Sequence, residues 1–443
     1  MPAGAVRTAV AAMTDTGPRT RIVEYGGVRV SVPAEWPVYR LDQQPSQCVR
    51  YDRHAVYLGR AGADQDCPAR MAGRTETLQI EPLDEPAGSR ARPPRAATEP
   101  APGEPEAGVP QAELPDGTEP EAGAREGAVP AEATPAQEAA QEIRVALPTA
   151  GVRMTGTYGS GRAVMADLMR GARIRPWVHR RLPSFRPPEA PRPESGMRIA
   201  VPYRPEWQPA RDRERRREWA TGPGFDACTA PSRGAMAAWR RAYRVANVYI
   251  GGAARGCAQP NLNRDWVRDV RRMGYRLIPT YVGLQAPCTG YHNRFTGKNA
   301  DRKGGAAATD AVHRARALGI PRGEPIYYDM EAYPSERGWC RRAVLRFVHS
   351  WTRRLQRKGY VSGVYGSAGS GVQALGEATG ITKPEAIWFA RWDGRARTAG
   401  GRYLRRSWWQ PHRRIKQYRG GHHERHGGYT LNIDSNVVDG LVY

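Results

Sequence analysis

Apolar residues in the C-terminal half of the chain come in short runs separated by amphipathic stretches. The runs are GPGFDAC, RVANVYIGG, YRLIPTYVG, PIYYDME, YVSGVYGS, AIWFARW, RRIKQY and LNIDSNVV, all beyond residue 221. They are rich in β-branched and aromatic residues and bounded by Gly, Pro or Asn, which predicts strands. Between most of them the spacing turns helical. The stretch 341–359 puts Val344, Phe347, Val348, Trp351 and Leu355 on one face and stops at Gly359. Asn263–Gly274 and Ala306–Gly319 read the same way. Eight β units with intervening helices in about 220 residues predict an α/β domain, a (β/α)8-type TIM barrel over 221–443. The competing architecture, a doubly wound open sheet, calls for a Gly-rich phosphate loop after its first strand. GPGFDAC followed by TAPSRG is not one.

The N-terminal half has a different texture. RIVEYGGVRVSV alternates apolar and polar positions around a GG pair, the mark of a hairpin. CVRYDRHAVYLG reads as a second strand pair, so a small β-rich accessory domain is expected over 20–83. Residues 84–142 are Pro, Ala, Gly and Glu with almost no large apolar side chain, too little to offset the entropy of ordering. Residues 143–220 continue as a basic stretch, with RPWVHRRLPSFRPPEAPRP and RDRERRRE. The whole of 84–220 therefore reads as a long disordered linker, relieved by a short helix near GRAVMADLMRGA.

Charge changes this picture less than its size suggests. The net charge is +24, yet only five of the 68 basic residues are lysine and the arginines spread along nearly the whole chain. Zinc-finger spacing, RNA-binding aromatic motifs and basic heptads are missing, so no specific nucleic acid partner is expected. Attraction to anionic cell-wall polymers is compatible with the charge. No apolar run has the roughly 18 residues of a spanning helix. MPAGAVRTAVAAMTDTG makes a poor signal peptide, which leaves a cytoplasmic protein or a true start upstream of Met1. The six cysteines favour export, because an even set without CxxC spacing reads as disulfides. Six cysteines allow about 15 pairings; neighbouring loops can bring Cys228 to Cys257 and Cys288 to Cys340, and Cys48 and Cys67 share the first block, so these three pairs are the expectation. A monomer is expected.

In a barrel of this kind, chemistry gathers at the C-terminal ends of the strands. The first expected strand ends at Asp226, the fourth at Asp329 and Glu331, and the eighth holds Asp434. Strand alternation puts Tyr327, Asp329 and Glu331 on one face, with neighbouring members roughly 6–7 Å apart along the backbone. Tyr365, Trp388, Trp392, Gln417 and Tyr418 fall on strand ends five to seven. Carboxylates among aromatic faces suit glycoside cleavage, in which one acid protonates the leaving oxygen and another carboxylate steadies the cationic centre. The plainer reading of any one of these acids is a helix cap or an ion-pair partner, with Arg391 or Arg255 as the neutralising group. GGHHERHGG lacks HExxH spacing and reads as a loop over the pocket. No metal or cofactor is expected.

GFDAC, YYDMEAY, GVYGS, KQY and NIDSNVVDG, in that order, resemble the glycoside-hydrolase-like domain of unknown function 1906. That domain is similar to the family 25 glycoside hydrolases, muramidases of lysozyme type. The resemblance spans about 221–443. It implies Glu331 as general acid and Asp329 as stabiliser of an acetamido-derived intermediate, with Asp226 and Asp434 orienting and tuning the pair. Tyr327, Tyr365, Trp388, Trp392, Gln417 and Tyr418 are the candidate substrate contacts. IWFARW lacks the tyrosine that the lysozymes place after the small residue, and CTGYHNRFTGKNADRKGG is an insertion relative to a minimal lysozyme. Hydrolysis of peptidoglycan or a related N-acetylated wall glycan is the leading expectation. A glycan-binding module without turnover, and a polyanion binder working through the Arg-rich linker, are the alternatives.

Overall fold

The computed structural model describes residues 19–83, 134–174 and 219–443. The first block comprises β1 (Thr20–Tyr25), β2 (Val28–Pro33), β3 (Val38–Arg40), β4 (Ala55–Leu58), β5 (Thr77–Pro82), α1 (Pro135–Ala140), β6 (Glu142–Leu147), β7 (Val152–Thr157), α2 (Arg162–Arg170) and β8 (Arg173–Ile174). The GG pair makes the expected turn: Gly26 and Gly27 have φ of 57° and 77°, and β1 pairs antiparallel with β2. β8 joins that pair in a three-stranded sheet, and a second sheet runs β3-β4-β5-β7-β6. CVRY is not the hairpin partner of β4. It crosses to the other domain, where Arg50 bridges Cys257.

The expected linker needs correction. Residues 134–174 are ordered and complete the first block. β7 lies antiparallel to β5, and β6 to β7. Ile143, Val145, Leu147, Val152 and Met154 are buried with Val56, Leu78 and Ile80 in one core. A few alternating apolar residues suffice here because the neighbouring strands already supply the rest of that core. α2 occupies the stretch read as a short helix. The remaining linker, 84–133 and 175–218, lies outside the described residues.

The second domain is a closed barrel. Its elements are β9 (Trp219–Asp226), α3 (Arg233–Trp239), β10 (Val245–Gly251), α4 (Arg264–Arg272), β11 (Arg276–Tyr281), α5 (Ala300–Ala317), β12 (Pro325–Asp329), α6 (Gly338–Arg357), β13 (Val361–Ser367), α7 (Gln373–Glu377), β14 (Ala386–Ala390), β15 (Arg414–His426) and β16 (Tyr429–Leu441). The strands close in chain order, with β16 returning to β9. β9 to β15 pair in parallel, whereas β16 is antiparallel to both neighbours. This corrects the expected (β/α)8 arrangement. Helices follow the first five strands, and three strands then finish the barrel. The cause is the Gly427–Gly428 turn, with φ of 54° and 88°, which makes β15 and β16 a hairpin. A parallel return would need a crossover of a dozen or more residues. GGHHERHGG is therefore not a loop but the outer half of β15 and its turn.

α6 buries the predicted face of Val344, Phe347, Val348, Trp351 and Leu355. α5 starts at Ala300, six residues before the expected Ala306, so the last third of the insertion after β11 is helix. Its GG pair is a helix contact rather than a break. A Cβ on Gly304 would stand 2.3 Å from the Phe347 carbonyl oxygen of α6.

The two domains meet along a seam of backbone hydrogen bonds. Tyr51 N donates to Gly256 O at 2.8 Å, Gly73 N to Ala254 O at 2.7 Å, and Ala258 N to Val49 O at 3.1 Å. The disulfides are Cys48–Cys67, Cys228–Cys257 and Cys288–Cys340, the expected pairs. The first two pack together, buried, at the seam. The third ties the loop after β11 to the start of α6. No helix among the described residues is long and apolar enough to cross a membrane.

Candidate active site

The four acids converge at the C-terminal mouth of the barrel. Asp226 ends β9 and lies directly opposite Asp434 of β16. Asp329 ends β12, and Glu331 follows in the loop. None of the four is more than 7% exposed. Two amides hold the first pair. Gln417 Nε2 donates to Asp226 Oδ2 at 3.0 Å and to Asp434 Oδ2 at 2.9 Å, and Asn436 Nδ2 donates to Asp226 Oδ1. Burial and the Asp434 charge push the Asp226 carboxyl well above its ordinary range, while Asn436 and Gln417 work against them. Burial also raises Asp434, to about 6, against the opposing pull of Arg70 and of the hydrogen bond from Asp226. Both carboxyls therefore take up a proton more readily than a free aspartate does.

The second pair is fixed through its backbone. Gln285, in the loop after β11, donates Nε2 to Asp329 O at 3.0 Å and accepts Glu331 N on Oε1 at 2.8 Å. Burial and the Glu331 charge raise the Asp329 carboxyl well above its ordinary range, with Arg70 opposing. Asp329 Oδ1 and the Tyr249 hydroxyl are buried without a hydrogen-bond partner. Burial, followed by the charges of Asp226 and Asp329, raises Tyr249 too. Tyr291, from the insertion after β11, is raised by burial and then by Glu331 and Asp329.

The candidate substrate contacts sort differently. Tyr327 is buried one layer beneath Asp329, and its hydroxyl donates to Leu441 O at 2.8 Å, so it is core and not a sugar contact. Trp388 is also buried. Its ring meets Tyr365 edge-on at 4.6 Å, and its Nε1 donates to Asn436 Oδ1 at 2.8 Å, so it props the amide that holds Asp226. Gln417 accepts the Tyr365 hydroxyl at 3.1 Å and Trp392 Nε1 at 2.9 Å while donating to both acids, which leaves no hydrogen for a ligand. Tyr418 follows Gln417 on β15 and is half-buried, near Tyr243. Trp392 stands at the rim and is 58% exposed.

The neutralising cation is neither Arg391 nor Arg255. Arg391 pairs with Asp393, and Arg255 Nη1 reaches the Tyr249 carbonyl. It is Arg70 of the first block, in the segment between β4 and β5. Arg70 Nη2 lies 3.5 Å from Glu331 Oε2, and Nη1 donates to the Tyr365 hydroxyl. The guanidinium lies over the Tyr365 ring at 5.4 Å and the Trp392 ring at 5.8 Å. Burial lowers the guanidinium pKa, but Glu331, Asp329 and Asp434 outweigh it and raise the group. Sequence reasoning missed Arg70, Gln285, Tyr249, Tyr291 and Asn436. Nothing marks Arg70 among the arginines of CPARMAGR. Only Asn436, one strand step from Asp434 in NIDSNVV, carried a local signal.

Residues 237–438 match the Rv2525c-like, glycoside hydrolase-like domain. The match takes in Asp329, Glu331 and Asp434 and stops short of Asp226. An uncharacterized protein of B. stearothermophilus is 19% identical over 50% of this chain and 99% of its own, with a TM-score of 0.33. The Tat-secreted protein Rv2525c of Mycobacterium tuberculosis, solved with L-tartrate, is 17% identical over 50% of this chain and 96% of its own, TM-score 0.33. The spore cortex lytic enzyme SleM of Clostridium perfringens is 13% identical over 50% of this chain and 67% of its own, TM-score 0.34. No curated protein matches the chain.

Proposed function

We propose that the barrel hydrolyses peptidoglycan or a related N-acetylated cell-wall glycan by carboxylate catalysis. The observation that carries this reading is Asp329 beside Glu331 at the strand end, with the backbone of both pinned by one glutamine. Burial beside Glu331 favours the protonated form of Asp329, so the pair carries a proton into the reaction. That proton passes from Asp329 to Glu331, two residues nearer the mouth, which delivers it to the glycosidic oxygen, and the Asp329 carboxylate left behind steadies the cationic centre. Asp226 and Asp434 set the field from the facing strands. Trp392 offers the exposed aromatic face for a sugar ring. The glycoside hydrolase-like family match over 237–438 supports the same reading. Three disulfides support export to the cell envelope or beyond, where such a glycan lies.

A second reading, glycan binding without turnover, is favoured by one observation: all four acids are covered. Glu331→Gln separates the two. On the hydrolase reading it keeps the cooperative melt and the affinity for chitooligosaccharide but releases muropeptides about 10²–10⁴-fold more slowly. Wild-type protein that binds the oligosaccharide yet cleaves nothing at any pH, with Glu331→Gln indistinguishable from it, establishes the binding reading.

A further inference from the structure

We propose that Arg70 is a built-in latch. It occupies the sugar-cleaving site from the N-terminal block and must leave before a glycan can enter. The inference rests on the hydrolase reading for its activity readout alone; the occupancy itself is geometric. A proton donor must come within hydrogen-bond reach of the oxygen it protonates. The Glu331 carboxylate instead faces the Arg70 guanidinium at 3.5 Å. The same guanidinium lies 5.4 Å from the Tyr365 ring centre and 5.8 Å from that of Trp392, at the edge of the one exposed aromatic face beside the acids among the described residues. A cation paired with the carboxylate and set between it and the rim tryptophan stands where the glycosidic oxygen would have to approach Glu331.

The way in which Arg70 is held also points to a latch. The segment carrying it is fixed on both sides. Cys67 is bonded to Cys48, and Gly73 N donates to Ala254 O. Ala72 pairs with Arg255, and Arg74 N donates to Asn293 Oδ1 at 2.6 Å. Only the side chain of Arg70 reaches Glu331, so a change of side-chain rotamer can uncover the acid while the seam stays shut. All three disulfides lie within one domain or the other, so no disulfide locks the block in place either.

The test uses the full chain with Arg70→Ala, and with Arg70→Gln as a stem-keeping variant should the alanine fail to fold cooperatively. The first readout is carbodiimide labelling of carboxylates, located by peptide mass mapping. Glu331 should be protected in the wild type and labelled at least about tenfold faster in the variant, well within the worth of a largely buried ion pair. Guanidinium ion at a concentration far below denaturing should restore protection in the variant by refilling the place. The second readout is muropeptide release, which should rise by a similar factor. Equal labelling in wild type and variant, or turnover that falls when Arg70 is removed, overturns the latch and makes Arg70 a working residue of an open site. Labelling that rises while no glycan is cleaved upholds the latch and sinks the hydrolase reading.

Discussion

Asp434 shows how the site is maintained against the stability of the fold. Its carboxyl is raised to about 6 by burial, with Arg70, Asp226, Glu331 and His422 around it. In the unfolded chain an aspartate titrates near 3.9. Between these values the folded state keeps a proton that the unfolded state has lost. Stability from this group is therefore full below about pH 4 and is lost as pH rises through 6. Asp434→Asn removes the dependence while still accepting from Gln417. We expect the variant to gain about 2–3 kcal/mol on the wild type at pH 7 relative to pH 4, read by urea unfolding. An equal difference at both pH values refutes this account. The four acids themselves were legible, because period-two spacing and strand ends are local properties. The roles of Tyr327 and Trp388 were not. Alternation told which face they share, but not how deep along the barrel each sits.

At the scale of elements, the site depends on loops more than on strands. Gln285 satisfies both the Asp329 carbonyl and the Glu331 N–H, two buried groups that the end of β12 leaves open. Gln285→Leu keeps the bulk and removes both bonds, together with the one from Nε2 to Gly283 O. We expect a loss of about 2–4 kcal/mol by chemical denaturation, because two buried polar groups go unpaired, and a fall in glycan turnover larger than the fall in binding. Unchanged stability means that the loop reorganises around the leucine. The eight strands were visible in the sequence since each is a short apolar run between breakers. The antiparallel eighth strand was hidden by GGHHERHGG. Its histidines and glycines read as a loop, whereas the last two glycines are the turn and the rest alternates along an edge of β15. The extra turns of α5 were hidden for a like reason. Gly304 and Gly305 look like breakers until Phe347 and Ser350 of α6 are seen against them.

At the scale of the whole molecule, one buried arginine ties the two domains together. Arg74 donates Nε to Arg255 O at 2.9 Å, and its Nη1 lies 3.2 Å from Glu142 Oε2 and bonds Ala140 O. It lies over the Tyr51 ring at 5.2 Å, and its own N–H goes to Asn293. One side chain thus joins the segment before β5, the start of β6 and the loop after β10. No sequence pattern announces it, because its partners come from stretches about 70 and 180 residues away. Burial alone would raise the Glu142 carboxyl, but Arg74, Arg144 and Arg255 outweigh it and hold the group below its ordinary range. Stability from Glu142 is therefore present at neutral pH and lost as pH falls through its folded value. Removing Arg74 leaves the buried Glu142 carboxylate with the half-exposed Arg144, 2.9 Å away, so the cost falls below the figure of about 3–5 kcal/mol for a buried charge left wholly uncompensated. We expect the wild-type block and barrel to melt in a single calorimetric transition. In Arg74→Ala the block should melt first, roughly 5–15 °C lower, and its acid sensitivity should shrink because Glu142 has lost its main counter-charge. One transition at the wild-type temperature in Arg74→Ala would show that the backbone bonds of the seam couple the domains without the arginine.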